Sequence, residues 1–283
     1  MVTVRRLKKP EEFHQAMEVQ KMAWDMPDYT EAVPFHALKG AEDAGGMVLG
    51  AFKGKEMVGF SYAFLGLCEG KLYLHSHMTG VKEGWKYKGI GMALKLKQRE
   101  EAIKAGLDLI MWTFEPLQSL NTYFNLAKLG TIFRRYHRNY YGMMGDSINF
   151  GMESDRVKAE WWVKSKRVKL KLEGRLNAPE PDALIAQGAK VALDSGENQS
   201  PNIVSLEPDA EVVLTALPRD IVSLKMKDLS KALDWRHALR KVYESYLSKG
   251  YIAMDLTRGR NGAYVVLWRK DLENILEGEV PWS

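Results

Sequence analysis

The chain has 283 residues, 46% hydrophobic and 27% charged, a composition that excludes a disordered or fibrous protein and a length that fits about two domains. Its one cysteine, Cys68, excludes a disulfide framework or a multi-cysteine metal site within the chain. The balance of 41 Lys+Arg against 36 Asp+Glu leaves +5, too mild a charge to point to nucleic acid. No apolar window reaches 18 residues, so no membrane-spanning helix is expected, and no signal-like run follows Met1 to Pro10. The cytoplasm is the expected compartment.

Val2 to Leu7 reads as a strand, and Pro10-Glu11-Glu12 opens a helix to about Trp24, with proline and acids suited to a first helical turn. Phe35 to Ala44 is a second short helix. Gly46–Phe52, Met57–Leu67 and Leu72–Val81 are three apolar runs too closely spaced for crossover helices, so they form an antiparallel meander. Ile90 to Lys104 is helical with Ile90, Ala93, Leu94 and Ala102 available for a buried stripe. Leu107–Phe114 is a strand, and Ser119–Leu129 is a helix stopped by Gly130. The helix between the last two strands is long enough to set them parallel. The expected class is therefore α/β, a mixed sheet with helices on both faces.

Asp155–Val163 alternates as a further strand. Residues 156–175 carry a net +6, whereas residues 176–227 carry eight acids, four bases and several prolines, which places a boundary near 176. The expected division is 1–175 and a C-terminal α+β extension, 176–283. In the extension, Ile203–Leu206 and Val212–Leu217 read as short strands. Met226–Ser248 is a helix with Leu229, Ala232, Trp235, Leu239, Val242 and Tyr246 on one stripe. Tyr251–Leu256 and Ala263–Trp268 form a hairpin about the turn Arg258-Gly259-Arg260-Asn261-Gly262.

The most informative segment runs from Met78 to Ala93. A strand ends, a glycine turn follows and a helix begins, an arrangement whose bare N–H groups can cradle a phosphate or pyrophosphate. It is not a Walker A loop, because Ile90-Gly91 stands where Lys-Ser or Lys-Thr is needed. It is not a dinucleotide fingerprint either, because no third glycine follows Gly89 and Gly91. A plain surface turn with two lysines is the competing reading.

Val81 followed by Lys86-Tyr87-Lys88-Gly89-Ile90-Gly91 resembles the acyl-CoA pyrophosphate loop of the GNAT superfamily of N-acetyltransferases, which has Gln or Arg, two residues, Gly, one residue, then Gly or Ala. Lys86 departs from that form, keeping charge but not hydrogen-bonding shape. Asn121, with Leu129-Gly130 nine residues on, resembles the family's later helix beside the pantetheine and thiol, and the likeness covers about residues 2–140. His75-Ser76-His77-Met78 and the stretch from Trp112 to Leu126 resemble a longer branch of predicted acetyltransferases. Some relatives in that branch are associated with N-succinylation of amino acids, D-amino acids included.

The resemblance implies a GNAT-like acyl-CoA-binding fold for residues 1–175 and acetyl-CoA or succinyl-CoA as co-substrate, with no metal. The acceptor is a small, carboxylate-bearing amine that attacks the thioester directly. Backbone groups of Met78, Thr79, Gly80 and Val81 would meet the pantetheine amides. Lys86, Tyr87, Lys88, Gly89, Ile90, Gly91 and Met92 would hold the pyrophosphate, and Asn121 would bond near the thioester. The family's usual leaving-group acid, a tyrosine four residues before the helix-ending glycine, is Leu126 here. Tyr123, one turn earlier, is the substitute; otherwise the thiolate leaves unassisted, or the chain is a non-catalytic relative that binds CoA or a protein.

For the base, His75 and His77 share a strand face and have a reference pKa of about 6.5, unless both are packing residues. Glu115, at the end of the 107–114 strand, is the other candidate, as base or ammonium clamp, against a helix-start carboxylate. Arg134 to Tyr141 interleaves basic and aromatic residues. That suits a substrate carboxylate or CoA phosphate better than nucleic acid, with an edge strand as the alternative. The +6 segment offers a supporting surface, though Lys164, Lys166 and Arg167 also fit strand edge protection. Cys68, Trp161, Trp162 and Trp235 read as packing residues; the Trp235-Arg236-His237 step could reach the active cleft, though nothing in the sequence requires it. The extension either covers the acceptor site or forms a homodimer contact.

Overall fold

In the computed structural model the described residues are 1–144, 150–207, 209–260 and 262–282. The chain separates into two compact units, Met1–Trp112 and Thr113–Ser283. The composition shift near 176 thus falls inside the second unit.

The first unit follows the expected order: β1 (Thr3–Arg6), α1 (Pro10–Ala23), α2 (Phe35–Asp43), β2 (Met47–Lys53), β3 (Glu56–Cys68), β4 (Lys71–Val81), α3 (Ile90–Lys104) and β5 (Leu109–Phe114), in which the division falls. Its strands lie in the order β1-β2-β3-β4-β5. All neighbours are antiparallel except β4 and β5, which the α3 crossover sets parallel.

Helices cover both faces of this sheet. On one, Phe13, Ala16 and Val19 of α1 and Leu38 of α2 form a buried cluster with Met57, Phe60 and Tyr62 of β3. On the other, α3 approaches so closely that a Cβ on Gly59 would lie 3.0 Å from Ile90 Cγ2. The start of α1 is fixed by Glu12, whose Oε2 accepts from the N–H of Lys8 at 2.7 Å and of Lys9 at 3.3 Å. Arg5 pairs with the same carboxylate at 2.6 Å and, with those N–H groups, holds it down to about 2.

The buried stripe of α3 departs from expectation. Ile90, Leu94 and Ala102 are buried, but Ala93 is exposed, and Lys95 and Gln98 are buried instead. Two irregularities mark β4. Its pairing with β3 shifts between Ser76 opposite Ala63 and Met78 opposite Tyr62, so His77 is the extra residue of a bulge. Its pairing with β5 extends over Leu74–Ile110 and His75–Met111.

The second unit opens with α4 (Ser119–Tyr123), which runs on as a π-helical turn over Phe124–Lys128, where Leu129 N–H donates to the Phe124 carbonyl at 3.0 Å. The expected regular helix over 119–129 therefore carries a change of register. Gly130 ends it with φ +75°, and a Cβ there would lie 2.9 Å from Lys171 Cβ, so both conformation and space call for glycine.

Next come β6 (Ile132–His137), β7 (Arg156–Trp162), α5 (Lys166–Leu172), α6 (Pro181–Ala186), β8 (Lys190–Ser195), β9 (Pro201–Ile203) and β10 (Val212–Leu217). The unit ends with α7 (Ile221–Lys227), α8 (Leu229–Leu247), β11 (Tyr251–Gly259), β12 (Gly262–Arg269) and α9 (Leu272–Leu276). The strand order is β7-β6-β11-β12-β10-β8-β9. The expected β11–β12 hairpin is present; Asn261 of its turn lies outside the described residues.

Several expectations for this unit are corrected. The strand patterning of Lys164, Lys166 and Arg167 gives way to α5, because Ser165 caps it by accepting from Val168 N–H at 3.2 Å. The helix expected from Met226 is broken at Asp228, which leaves helical φ/ψ and accepts from Lys231 N–H at 3.0 Å as the cap of α8. The expected strand at 203–206 lies earlier, at β9, and pairs with β8.

Candidate functional site

The first unit holds the glycine turn. Gly89 is the N-cap of α3 at φ +78°, a conformation that L side chains rarely adopt, although a Cβ there would meet nothing within 4 Å. Backbone shape, not crowding, is what requires glycine at this position. No side chain caps this helix end, and the first bond back to the cap is Ala93 N–H to the Gly89 carbonyl at 3.0 Å. The N–H groups of Ile90, Gly91 and Met92 thus precede the helical ladder and carry the positive end of its dipole.

The loop before it is tethered to itself. Lys86 Nζ pairs with Glu83 at 2.5 Å, and Lys88 Nζ donates to the Gly84 carbonyl at 2.8 Å. Tyr87 stands exposed at φ +61°. Val2, Trp85, Lys88, Gly89, Ile90 and Ala93 line an open depression of about 230 Å³ beside the turn.

Leading into this loop, Met78, Thr79, Gly80 and Val81 all pair with β3. Among the described residues the ladder to β5 extends no further than His75, so beyond Ser76 β4 has no ladder on that edge. Gly80 is required here by space, since a Cβ would lie 2.7 Å from the Trp24 ring.

His75 and His77 do share a face, with ring centres 6.0 Å apart. Phe64 lies 4.9 Å from His75 and 5.9 Å from His77, and Tyr62 stands edge-on to His77 at 5.8 Å. Though His77 is exposed at its edge, burial against these rings lowers its pKa from the ordinary 6.5. The opposite face carries a buried polar chain. Lys95 Nζ donates to Ser76 Oγ at 2.8 Å and Gln98 Oε1 at 3.3 Å, and Gln98 Nε2 donates to Ser61 Oγ at 3.1 Å.

Glu115, Asn121 and Tyr123 belong to the second unit. Glu115 is buried, and both oxygens are engaged. Arg236 donates to it from Nη1 at 2.9 Å and from Nη2, Arg156 Nη1 stands at 3.4 Å, and Leu117 N–H donates at 3.0 Å. For Arg236, burial alone would lower the pKa, and the adjoining Glu115 more than offsets it. A carboxylate clasped by two guanidiniums has its lone pairs committed to orienting them. Asp155, fully buried, is held the same way by Arg240 at 2.8 Å and by the hydroxyl of Tyr136.

Asn121 Oδ1 accepts from Asn125 Nδ2 at 3.4 Å. The Tyr123 ring lies 3.9 Å from the guanidinium of Arg258. Leu126 is fully buried.

The basic run is largely spent inside the chain. Arg134 forms a bidentate pair with Glu160 at 2.9 and 3.0 Å, and Arg138 does the same with Glu244. Nor is the +6 segment simply a surface. Arg156, Arg167 and Lys171 are buried, with Lys171 paired to Asp255 at 2.5 Å. Trp161 and Trp235 are packing residues whose indoles donate to the carbonyls of Leu129 and Gln199, each at 2.8 Å. Among the described residues no group of three His, Cys, Asp or Glu side chains could hold a metal ion, and no helix is long and apolar enough to cross a membrane.

Sequence reasoning missed Lys95, Ser76, Arg156 and Arg258, and left Arg236 as a residue that could reach a cleft without saying what it would hold. Lys95 follows Leu94, one step beside the apolar stripe, and its charge marked it as a solvent residue; it is buried. Arg236 sits beside the buried Trp235, and that adjacency is the one signal that placed it near the core.

No family model and no curated protein matches the chain. Among solved structures, it is similar to a GNAT-family acetyltransferase of Desulfovibrio desulfuricans, at 14% identity over 58% of this chain and 99% of that one, with a TM-score of 0.46. It is similar to a GNAT-family acetyltransferase of Streptococcus pneumoniae at 12% identity, over 56% and 98%, with a TM-score of 0.46. An aminoglycoside 6'-acetyltransferase of type Ii is similar at 14% identity, over 57% and 97%, with a TM-score of 0.44.

Proposed function

We propose that the chain is an acyl-CoA-dependent N-acyltransferase that passes an acetyl or succinyl group directly to the amine of a small, carboxylate-bearing acceptor. The observation that carries this reading lies within the first unit: β4 loses its β5 partner after His75 and leads into a helix whose N-terminus is open and capped by Gly89. An open strand edge matches the amides of a pantetheine arm, and unpaired N–H groups at a helix start match a pyrophosphate.

In this reading the N–H groups of Ile90, Gly91 and Met92 bind the pyrophosphate, with Lys86 and Lys88 at the rim. The β4 backbone from Ser76 to Val81 aligns the thioester. His77, its pKa below the ordinary value, is neutral at pH 7 and takes the proton from the acceptor's ammonium. The amine nitrogen then bonds to the carbonyl carbon, the carbon–sulfur bond breaks, the surplus proton on the new amide nitrogen passes to solvent, and the thiolate leaves unaided. Its pKa of about 8.5, that of an ordinary thiol, makes it a tolerable leaving group. The arginine clasp on Glu115 suits that residue to positioning rather than proton transfer.

Leu126 supports a second reading, a non-catalytic CoA-binding relative, because a fully buried leucine stands where the resemblance places a tyrosine. The test is free-thiol release from acetyl- and succinyl-CoA against pooled L- and D-amino acids and simple amines, with product mass read in parallel. Amine-dependent release with the matching mass gain is expected. No release, with calorimetric binding of CoA retained, would favour the second reading, and neither release nor binding would overturn both.

A further inference from the structure

The parallel ladder between β4 and β5 stops at an identifiable rung. Leu74 stands beside Ile110 and His75 beside Met111, so a regular continuation would set Ser76 beside Trp112. Among the described residues the ladder does not include that rung, and the ammonium of Lys95, rising from α3, touches both of its residues. It donates to Ser76 Oγ at 2.8 Å and lies 3.7 Å from the centre of the Trp112 ring. The same ammonium reaches Gln98 at 3.3 Å, Gln98 reaches Ser61 at 3.1 Å, and Ser61 Oγ lies 3.0 Å from Thr79 Oγ1. The chain of contacts therefore meets β4 at Ser76 and again at Thr79, within the open edge.

Lys95 is 5% exposed, and its hydrogen-bond partners among the described residues, Ser76 and Gln98, are neutral. Burial pushes it down to about 7, while the Trp112 face favours the charged form. A buried amine without a counter-ion is costly, and a leucine or methionine would fill the same space on α3 without that cost. Its position, at the two residues where the strands part, supplies a reason for it.

We propose that Lys95 is a positioning residue that wedges β4 and β5 apart at Ser76 and Trp112, keeping the backbone of Ser76 to Val81 open to the pantetheine arm of acyl-CoA. The ligand in this inference rests on the function proposed above; the wedge itself does not.

The test combines calorimetric titration with CoA and hydrogen exchange on wild type and Lys95→Met. The methionine variant is expected to fold, to lose at least tenfold in CoA affinity, and to exchange more slowly at the open-edge amides of residues 76–81 as the strands close. A merely structural lysine would leave those amides exchanging faster. Faster exchange, or CoA affinity within twofold of wild type, overturns the proposal. Should Lys95→Met fail to fold, Ser76→Ala and Trp112→Phe each weaken one contact of the ammonium. A two- to fivefold affinity loss is expected in both, and wild-type affinity in both overturns the wedge. If wild type itself binds no CoA, the functional reading fails, while exchange in Lys95→Met, slower or faster, still decides the wedge.

Discussion

At the scale of single residues, His77 and Glu115 take opposite parts. His77 is the extra residue of a bulge, exposed at one edge and flanked by Tyr62, Phe64 and His75. In the proposed reaction it works when neutral, and burial lowers its pKa from the ordinary 6.5. The acyl-transfer kcat/KM of wild type should therefore fall on the acid side with a midpoint below pH 6.5, as the imidazole becomes protonated. His77→Gln should lose that acid limb and about 10²–10⁴-fold in rate; a pH–rate profile shows both, and an unchanged limb would remove His77 from the role. Glu115 is different, because its removal strands two buried guanidiniums. Glu115→Gln should lower stability by about 3 kcal/mol in urea unfolding; unaltered stability would mean the clasp carries no net energy. The residue types and the shared face of His75 and His77 were legible in the sequence. The commitment of Glu115 was not, because Arg236 lies 121 residues away and nothing local announces it.

Among elements, helix starts are where local chemistry decides most. The cap of α1 was readable from Pro10-Glu11-Glu12, and the structure adds Arg5 from β1. Glu12 sits at about 2 when folded against 4.5 unfolded, so its contribution is fully present above pH 4.5 and is lost as pH falls toward 2. Glu12→Gln should cost about 1–2 kcal/mol at pH 7, a difference from wild type that closes between pH 4.5 and 2 in acid unfolding curves. Gly89 is the second such start. Gly89→Ala should cost about 1 kcal/mol through its positive φ and weaken CoA binding several-fold, because the first-turn N–H groups reorient. Equal CoA affinity by calorimetry would contradict the cradle. Two helix starts misread from composition, at Ser165 and Asp228, carried cap residues in plain view. The π turn after α4 had no such sign; its residues, Phe124 to Lys128, include no glycine or proline to mark a change of register.

For the whole molecule, the meander, the α3 crossover and helices on both faces of the first sheet followed from run lengths and spacing alone. The strand order of the second unit did not, because β8 is parallel to β10 and joined to it through β9, a path no periodicity encodes. Nor could charge counting show that the basic run at 134–141 and the +6 segment spend many of their cations on Glu160, Glu244, Glu115 and Asp255. The proposed reading places acyl-CoA along the open edge of β4 and at the start of α3. Hydrogen exchange along the chain, with and without CoA, is the measurement that decides it. New protection is expected to concentrate in residues 76–92. Protection confined to other segments, or none at saturating CoA, would contradict it.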